Sequence, residues 1–189
     1  MADVVGVEWG PLAALAGEWE GDEGLDVAFG NAEGHLIETP YREKVTLKPF
    51  GPVDNGTQHL WGLDYRMAAW RGVEENPFHT EVGYWLWDAE LGHVMRSFMV
   101  PRGSVLLAGG EAAVDATKWT MRAEVGSTTY GILSNPFLDR AARSSLYEVT
   151  INVTGDGVFE YFSTTTIEHA RVPGQPVAHT DRNVLRRVS

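Results

Sequence analysis

Six histidines, at positions 35, 59, 79, 93, 169 and 179, are the side chains of this sequence best suited to hold a metal. Neutral imidazole is the commonest protein ligand for transition metals and haem iron. His79 and Glu81 occupy alternate positions of an extended run, so both side chains point the same way. Zinc deaminases use the same His-x-Glu spacing but need cysteine ligands downstream, and this chain has no cysteine. The lack of cysteine also removes disulfides, thiolate metal sites, iron–sulfur clusters and thiol nucleophiles. A serine hydrolase fares no better: Gly126-Ser127 is followed by Thr128-Thr129, a turn serine without the Gly-x-Ser-x-Gly elbow. Gly17-Glu18-Trp19-Glu20-Gly21 sets two acids where a phosphate would sit, which argues against a nucleotide cradle.

Other residues suit an organic guest. Seven Trp, six Tyr and seven Phe are a large aromatic load, able either to fill a β-barrel or to line a cavity inside one. Along Phe78 to Asp88 one face reads Phe78, Thr80, Val82, Tyr84, Leu86 and the other His79, Glu81, Gly83, Trp85, Trp87. Neither face is plainly a solvent face, so either the outside is covered or the inside is hollow. An interior arginine with a tyrosine could hold a carboxylate bidentately, and Tyr65, Arg66, Tyr130 and Tyr161 are the candidates.

The elements that must position these groups are short strands. Gly- and Pro-containing clusters recur between β-branched and aromatic runs, the spacing of an all-β sandwich or barrel. One hairpin joins Phe78–Trp87 to Val94–Val100, and another joins Ser145–Val153 to Val158–Ile167 across Thr154-Gly155-Asp156-Gly157. With Glu18–Val27, His35–Leu47, Gln58–Trp70, Gly103–Leu107, Lys118–Val125, Ser127–Leu133 and Val177–Val188 the count is about ten. That many strands favour closure, which also removes exposed edges. The expected fold is all-β, an antiparallel up-and-down barrel with one or two short helices, and the opening Gly17-Glu18-Trp19 resembles that of lipocalin and fatty-acid-binding-protein (calycin) barrels. Those helices are expected from Pro11 to near Gly17 and after Asn135, with Pro136 at the first helical position. Pro49 to Gly56 is expected as a rim loop.

Composition sets the outer bounds. The 189 residues carry 26 acidic against 15 basic side chains, a net charge of -11, which disfavours nucleic acid and anionic membrane surfaces as partners. No run of apolar residues is long enough to span a membrane, and no targeting pattern is legible, so one cytoplasmic domain over residues 1–189 is expected.

Three segments read together carry a family resemblance. Leu15-Ala16-Gly17-Glu18-Trp19-Glu20-Gly21 resembles the Gly-x-Trp opening of the nitrobindin family, haem-binding β-barrels related to fatty-acid-binding proteins. Pro77-Phe78-His79-Thr80-Glu81-Val82-Gly83-Tyr84 is similar to that family's Pro-x-His-x-Glu-x-Gly-aromatic strand. His179, followed by Leu185 and a basic pair, resembles the terminal strand that supplies the axial histidine. The chain also looks similar to a bacterial subgroup described as fatty-acid-binding-protein-like.

The resemblance implies haem b as cofactor, with His179 as the axial ligand of the iron. It also implies His79 near the distal side or pocket wall, Phe78 against the porphyrin and Arg143 near a propionate, with Arg140 beside it. The implied activity is handling of nitric oxide or isomerisation of peroxynitrite. From the residues alone, His179 is equally a solvent-facing histidine and His79 a barrel histidine bonded to Glu81. Two alternative functions stand beside haem binding: a carrier or sensor for a fatty acid or other amphiphile, and a packed barrel serving as a scaffold. The first two readings call for a small apolar or amphiphilic ligand.

Overall fold

The computed structural model describes residues 6–155 and 157–188. Met1 to Val5, Asp156 of the expected turn and Ser189 of the tail lie outside them. A 3-10 segment, Val7–Leu15, precedes eleven strands: β1 (Gly17–Phe29), β2 (Leu36–Asp54), β3 (His59–Trp70), β4 (His79–Asp88), β5 (His93–Val100), β6 (Ser104–Glu111), β7 (Lys118–Val125), β8 (Gly131–Ser134), β9 (Ala142–Gly155), β10 (Val158–His169) and β11 (Val177–Arg187). A single helical turn and a half, α1 (Pro136–Ala141), separates β8 from β9. The strands close into a barrel in the order β1-β11-β10-β9-β7-β8-β6-β5-β4-β3-β2.

The closed all-β architecture is as expected, but there are eleven strands, and one pair is parallel. β8 runs parallel to β7, pairing Glu124 with Gly131 and Val125 with Ile132. It pairs antiparallel with β6. The cause is tertiary: Tyr130 lies over Gly109, where an added Cβ would come within 2.2 Å of the ring, and its hydroxyl is 2.8 Å from His93 Nδ1. Drawn across β6, the segment after Gly126 does not fold back on β7, and of the expected Ser127–Leu133 strand only the three residues 131–133 are strand, with Ser134 added. The expected rim loop is partly strand too, because β2 continues to Asp54 through a bulge between Phe50 and Val53.

One end of the barrel is sealed. Leu12 and Leu15 of the 3-10 segment are fully buried. Gly10 has φ +53°, and a Cβ there would lie 2.5 Å from the Trp87 ring, so glycine meets both demands. Trp19 donates from Nε1 to the Leu15 carbonyl at 2.8 Å and packs edge-on against Phe159 at 4.7 Å. The Gly-x-Trp opening therefore closes a floor. At the opposite end α1 caps the wall: Asn135 accepts from the Phe137 and Leu138 amides, both at 3.0 Å, which satisfies the first free donors of the helix.

Candidate functional site

Above the Trp19 floor the barrel encloses a cavity of about 540 Å³. That lies within the range of small-molecule sites, about 300–1,000 Å³. Strand alternation decides which side chains reach it. In β11 these are His179, Asp181 and Leu185, in β4 His79, Glu81 and Trp85, and in β2 Tyr41, Glu43, Val45 and Leu47. A bulge in β1 between Gly21 and Gly24 makes room for Tyr41, since a Cβ on Gly24 would stand 2.6 Å from the tyrosine ring.

Three polar groups meet in this lumen. The first surrounds Arg96, whose Nη2 lies 2.5 Å from Glu81 Oε2 and 2.9 Å from the Tyr65 hydroxyl, while Nη1 donates to Tyr147 at 2.5 Å. Tyr65 in turn donates to Glu81 Oε2 at 2.7 Å, and His79 Nε2 is 3.2 Å from Glu81 Oε1. Burial works against a charge on Glu81, but the Arg96 guanidinium, with His79 and Tyr65, outweighs it and holds the carboxyl down at about 2. Burial likewise opposes a charged His79 ring, yet its bond to Glu81 leaves its pKa above the ordinary imidazole value.

The second group joins Tyr41, Tyr161, Glu43, Asn183 and Asp181. The Tyr41 and Tyr161 hydroxyls are 2.7 Å apart, and Tyr41 also donates to Asp181. Asn183 Nδ2 donates to Glu43 Oε1 at 2.8 Å, and the Tyr161 hydroxyl is 3.3 Å from Oε2. Burial pushes the Glu43 carboxyl up to about 8, with the Asp181 charge adding to it. Burial also pushes Asp181 up to about 6 against the pull of the Tyr41 hydrogen bond. Near neutral pH Glu43 thus keeps its proton, and the lumen carries less negative charge than its inventory of acids suggests.

The third group is His179 with Asp26, Nε2 to Oδ1 at 2.5 Å. A carboxylate can only accept, so Nε2 carries the proton and Nδ1 is left for another partner.

The sequence-predicted residues divide accordingly. His179, His79 and Phe78 all line the cavity. Phe78 is edge-on to Tyr41 at 6.0 Å, with the Arg71 guanidinium 4.3 Å over its face. Arg143 does not join them. Its neighbours Ala142 and Ser144 face the lumen, so alternation turns Arg143 to the other side, where it meets Asp139 at 3.5 Å and Glu168 at 3.7 Å. Arg140 is exposed on α1. Of the four residues considered for a carboxylate, Tyr65 and Tyr161 line the cavity, whereas Arg66 is exposed and Tyr130 sits over Gly109. Sequence reasoning missed Asp26, Glu43, Arg96 and the mouth arginines Arg71 and Arg102, all of which line the cavity. The alternation Tyr41-x-Glu43-x-Val45-x-Leu47, polar groups leading into an apolar face, was the available signal for Glu43.

Among the described residues no cluster of three or more His, Asp or Glu could hold a bare metal ion. Among the same residues no helix is long and apolar enough to cross a membrane.

A sealed floor, a lined lumen and an imidazole in its wall define a ligand-binding β-barrel. The chain belongs to the THAP4-like, heme-binding beta-barrel domain family, whose model matches residues 8–187. The resemblance read from the three sequence segments is thereby borne out. The fold is similar to that of Rv2717c from M. tuberculosis, with a TM-score of 0.69 at 18% sequence identity, covering 94% of this chain and 95% of that one. No curated protein sequence matches significantly.

Proposed function

We propose that the lumen binds haem b with His179 as the axial ligand of the iron. One observation carries the reading: an imidazole on the cavity wall already has a carboxylate, Asp26, on one ring nitrogen. Metal-ligating histidines are held in this manner, the second nitrogen bonded to a carboxylate or carbonyl that fixes the ring and raises its basicity. The rest of the donor set fits the same guest. Phe78 and Tyr41 offer flat apolar surface, and Asp26 and Asp181 favour a cationic metal centre. Arg71 and Arg102 line the cavity, where propionates would find partners, and they take the role first expected of Arg143.

The chain's own part in any reaction is to bind, orient and exclude water. Tyr41, Tyr161 and Asn183 hold the Glu43 and Asp181 carboxyls in a partly protonated network, which keeps the lumen compatible with an apolar macrocycle. His79, its Nε2 held by Glu81, turns its ring to the cavity. Haem held by His179 would supply an open iron position, the chemistry needed to handle nitric oxide or to isomerise peroxynitrite to nitrate.

The fatty-acid reading is disfavoured by charge. Arg96, the one deeply buried cation of the lumen, is already neutralised by Glu81 at 2.5 Å, and a carboxylate head would also face Asp26 and Asp181. A scaffold reading is disfavoured by the open volume. Titrating the apo-protein with hemin should give a saturable 1:1 Soret band, and a fluorescent fatty acid should not be retained. Retention of the fatty acid without a Soret shift would reverse the assignment.

A further inference from the structure

The turn between β2 and β3 holds the one Asn-Gly pair of the chain, Asn55-Gly56. Such a pair can cyclise, because glycine lets its nitrogen approach the preceding side-chain amide with no Cβ in the way. The other asparagines are poorer candidates. Asn76 and Asn135 precede proline, whose nitrogen has no hydrogen to lose, and Asn152 and Asn183 lie in strands before a stiff valine. Asn31 precedes alanine. The segment from Asp54 to Gln58 is exposed throughout. Gly56 has φ +76°, and nothing stands within 4 Å of where its Cβ would be.

What sets this turn apart is a base placed on the nucleophile. Asp54 closes the ladder opposite His59, and the Asn55 N–H donates to the Gln58 carbonyl at 3.0 Å, so the strand end fixes where the Asp54 carboxylate stands. Its Oδ1 accepts from the Gly56 N–H at 2.8 Å. His59 Nδ1 is farther off, at 3.5 Å, so the glycine amide is the close partner of that oxygen. The amide hydrogen must leave before the Gly56 nitrogen can attack, and a general base works at about 2.6–3.2 Å from the proton's donor atom. The structure assigns Asn55 as a self-modification site: Asp54 draws the proton from the Gly56 nitrogen, and the Asn55 side chain is converted to a carboxylate through a cyclic imide.

The atoms balance with water alone. The Gly56 nitrogen bonds to Asn55 Cγ, the Cγ–Nδ2 bond breaks, and Nδ2 leaves as ammonia with the proton that Asp54 took up. Water then opens the five-membered ring at either carbonyl carbon, leaving aspartate or isoaspartate at position 55. Each conversion adds one negative charge to a chain already at -11, in a turn that carries Asp54 beside it. Isoaspartate also lengthens the backbone path of the turn by one carbon. β2 lines the cavity from Tyr41 to Leu47, and Asp54 is at the far end of that strand, so the conversion leaves the lumen alone.

Incubating the full-length chain at neutral pH without hemin, with peptide mapping by mass spectrometry over time, tests this independently of haem binding. The expected result is a gain of one mass unit at residue 55 and none at the other asparagines, with an isoaspartyl methyltransferase labelling the isoaspartate share. A general base typically contributes about 10²–10⁴-fold, and an exposed carboxylate stands at the weak end, so Asp54→Ala should slow the conversion by about 10–100-fold. Asp54→Ser, which keeps an acceptor oxygen but no base, should slow it as much and serves as the second variant. In urea, variants and wild type should converge, because the unfolded chain no longer holds the carboxylate on the nitrogen. A wild type that keeps its mass at residue 55 overturns the proposal. Variants that convert as fast as wild type, or faster because the hydrogen bond had restrained the amide, overturn it equally. So does a gap between them that persists unchanged in urea.

Discussion

His179 on β11 and Asp26 on β1 are bonded across the seam that closes the barrel, Nε2 to Oδ1 at 2.5 Å, although 153 residues separate them in sequence. The same contact joins fold to function. It ties the last strand to the first, and it fixes which nitrogen of the imidazole remains to meet a guest in the lumen.

Removing the carboxylate while keeping its shape should loosen the ligand. Loss of such an outer partner typically weakens metal binding by about 10–100-fold. In Asp26→Asn the hemin dissociation constant from a Soret titration should rise by about that factor, with the barrel still folded by circular dichroism. An unchanged affinity would mean that Asp26 does not orient the ligand.

The Arg96–Glu81 pair makes a separate prediction about stability. Arg96→Met leaves a fully buried carboxylate without its cation, a class of change that costs about 3–5 kcal/mol. Urea unfolding should show that loss, and Arg96→Met combined with Glu81→Leu should recover most of it. A double variant as unstable as the single one would show that Tyr65 and Tyr147, not the ion pair, dominate the site.

Glu43 sets a pH dependence of unusual sign. Its folded pKa, about 8, lies above the 4.5 of an ordinary glutamate, so between those values the folded state binds more protons than the unfolded one. Stability from this group is present below pH 4.5 and is lost as the pH rises through 8. Asp181, raised from 3.8 to about 6, adds a fall in the same direction at lower pH. Glu81, held at about 2, contributes above pH 4.5 and adds no slope in this window. Urea midpoints should therefore decline from pH 5 to 9, and Glu43→Gln should flatten much of the decline. A wild type that gains stability over that range would contradict the placement of Glu43.

Much of the site was readable before any coordinates. Alternation alone put His79 with Glu81 on a shared face, and both line the cavity. The Gly-x-Trp motif announced the floor that Trp19 forms. Asp26 was invisible because its importance comes from the register Asp26↔Asp181 and Val27↔Thr180 at barrel closure, a pairing no local pattern encodes. The direction Arg143 faces was not legible because α1 runs directly into β9, and the face a residue takes there depends on where the helix hands over, at Ala142. The parallel β8 was hidden for a similar reason: Tyr130 packs on Gly109 of β6, a tertiary contact that no local pattern around Gly126 encodes.

The central claim is that His179, and no other histidine, ligates the iron. Parallel Soret titrations of wild type, His179→Ala and His79→Ala with hemin test it most directly. The account predicts that His179→Ala loses the wild-type Soret position and most of the affinity, while His79→Ala keeps an imidazole-ligated spectrum. A His179→Ala protein that binds hemin with the wild-type spectrum and affinity would contradict it.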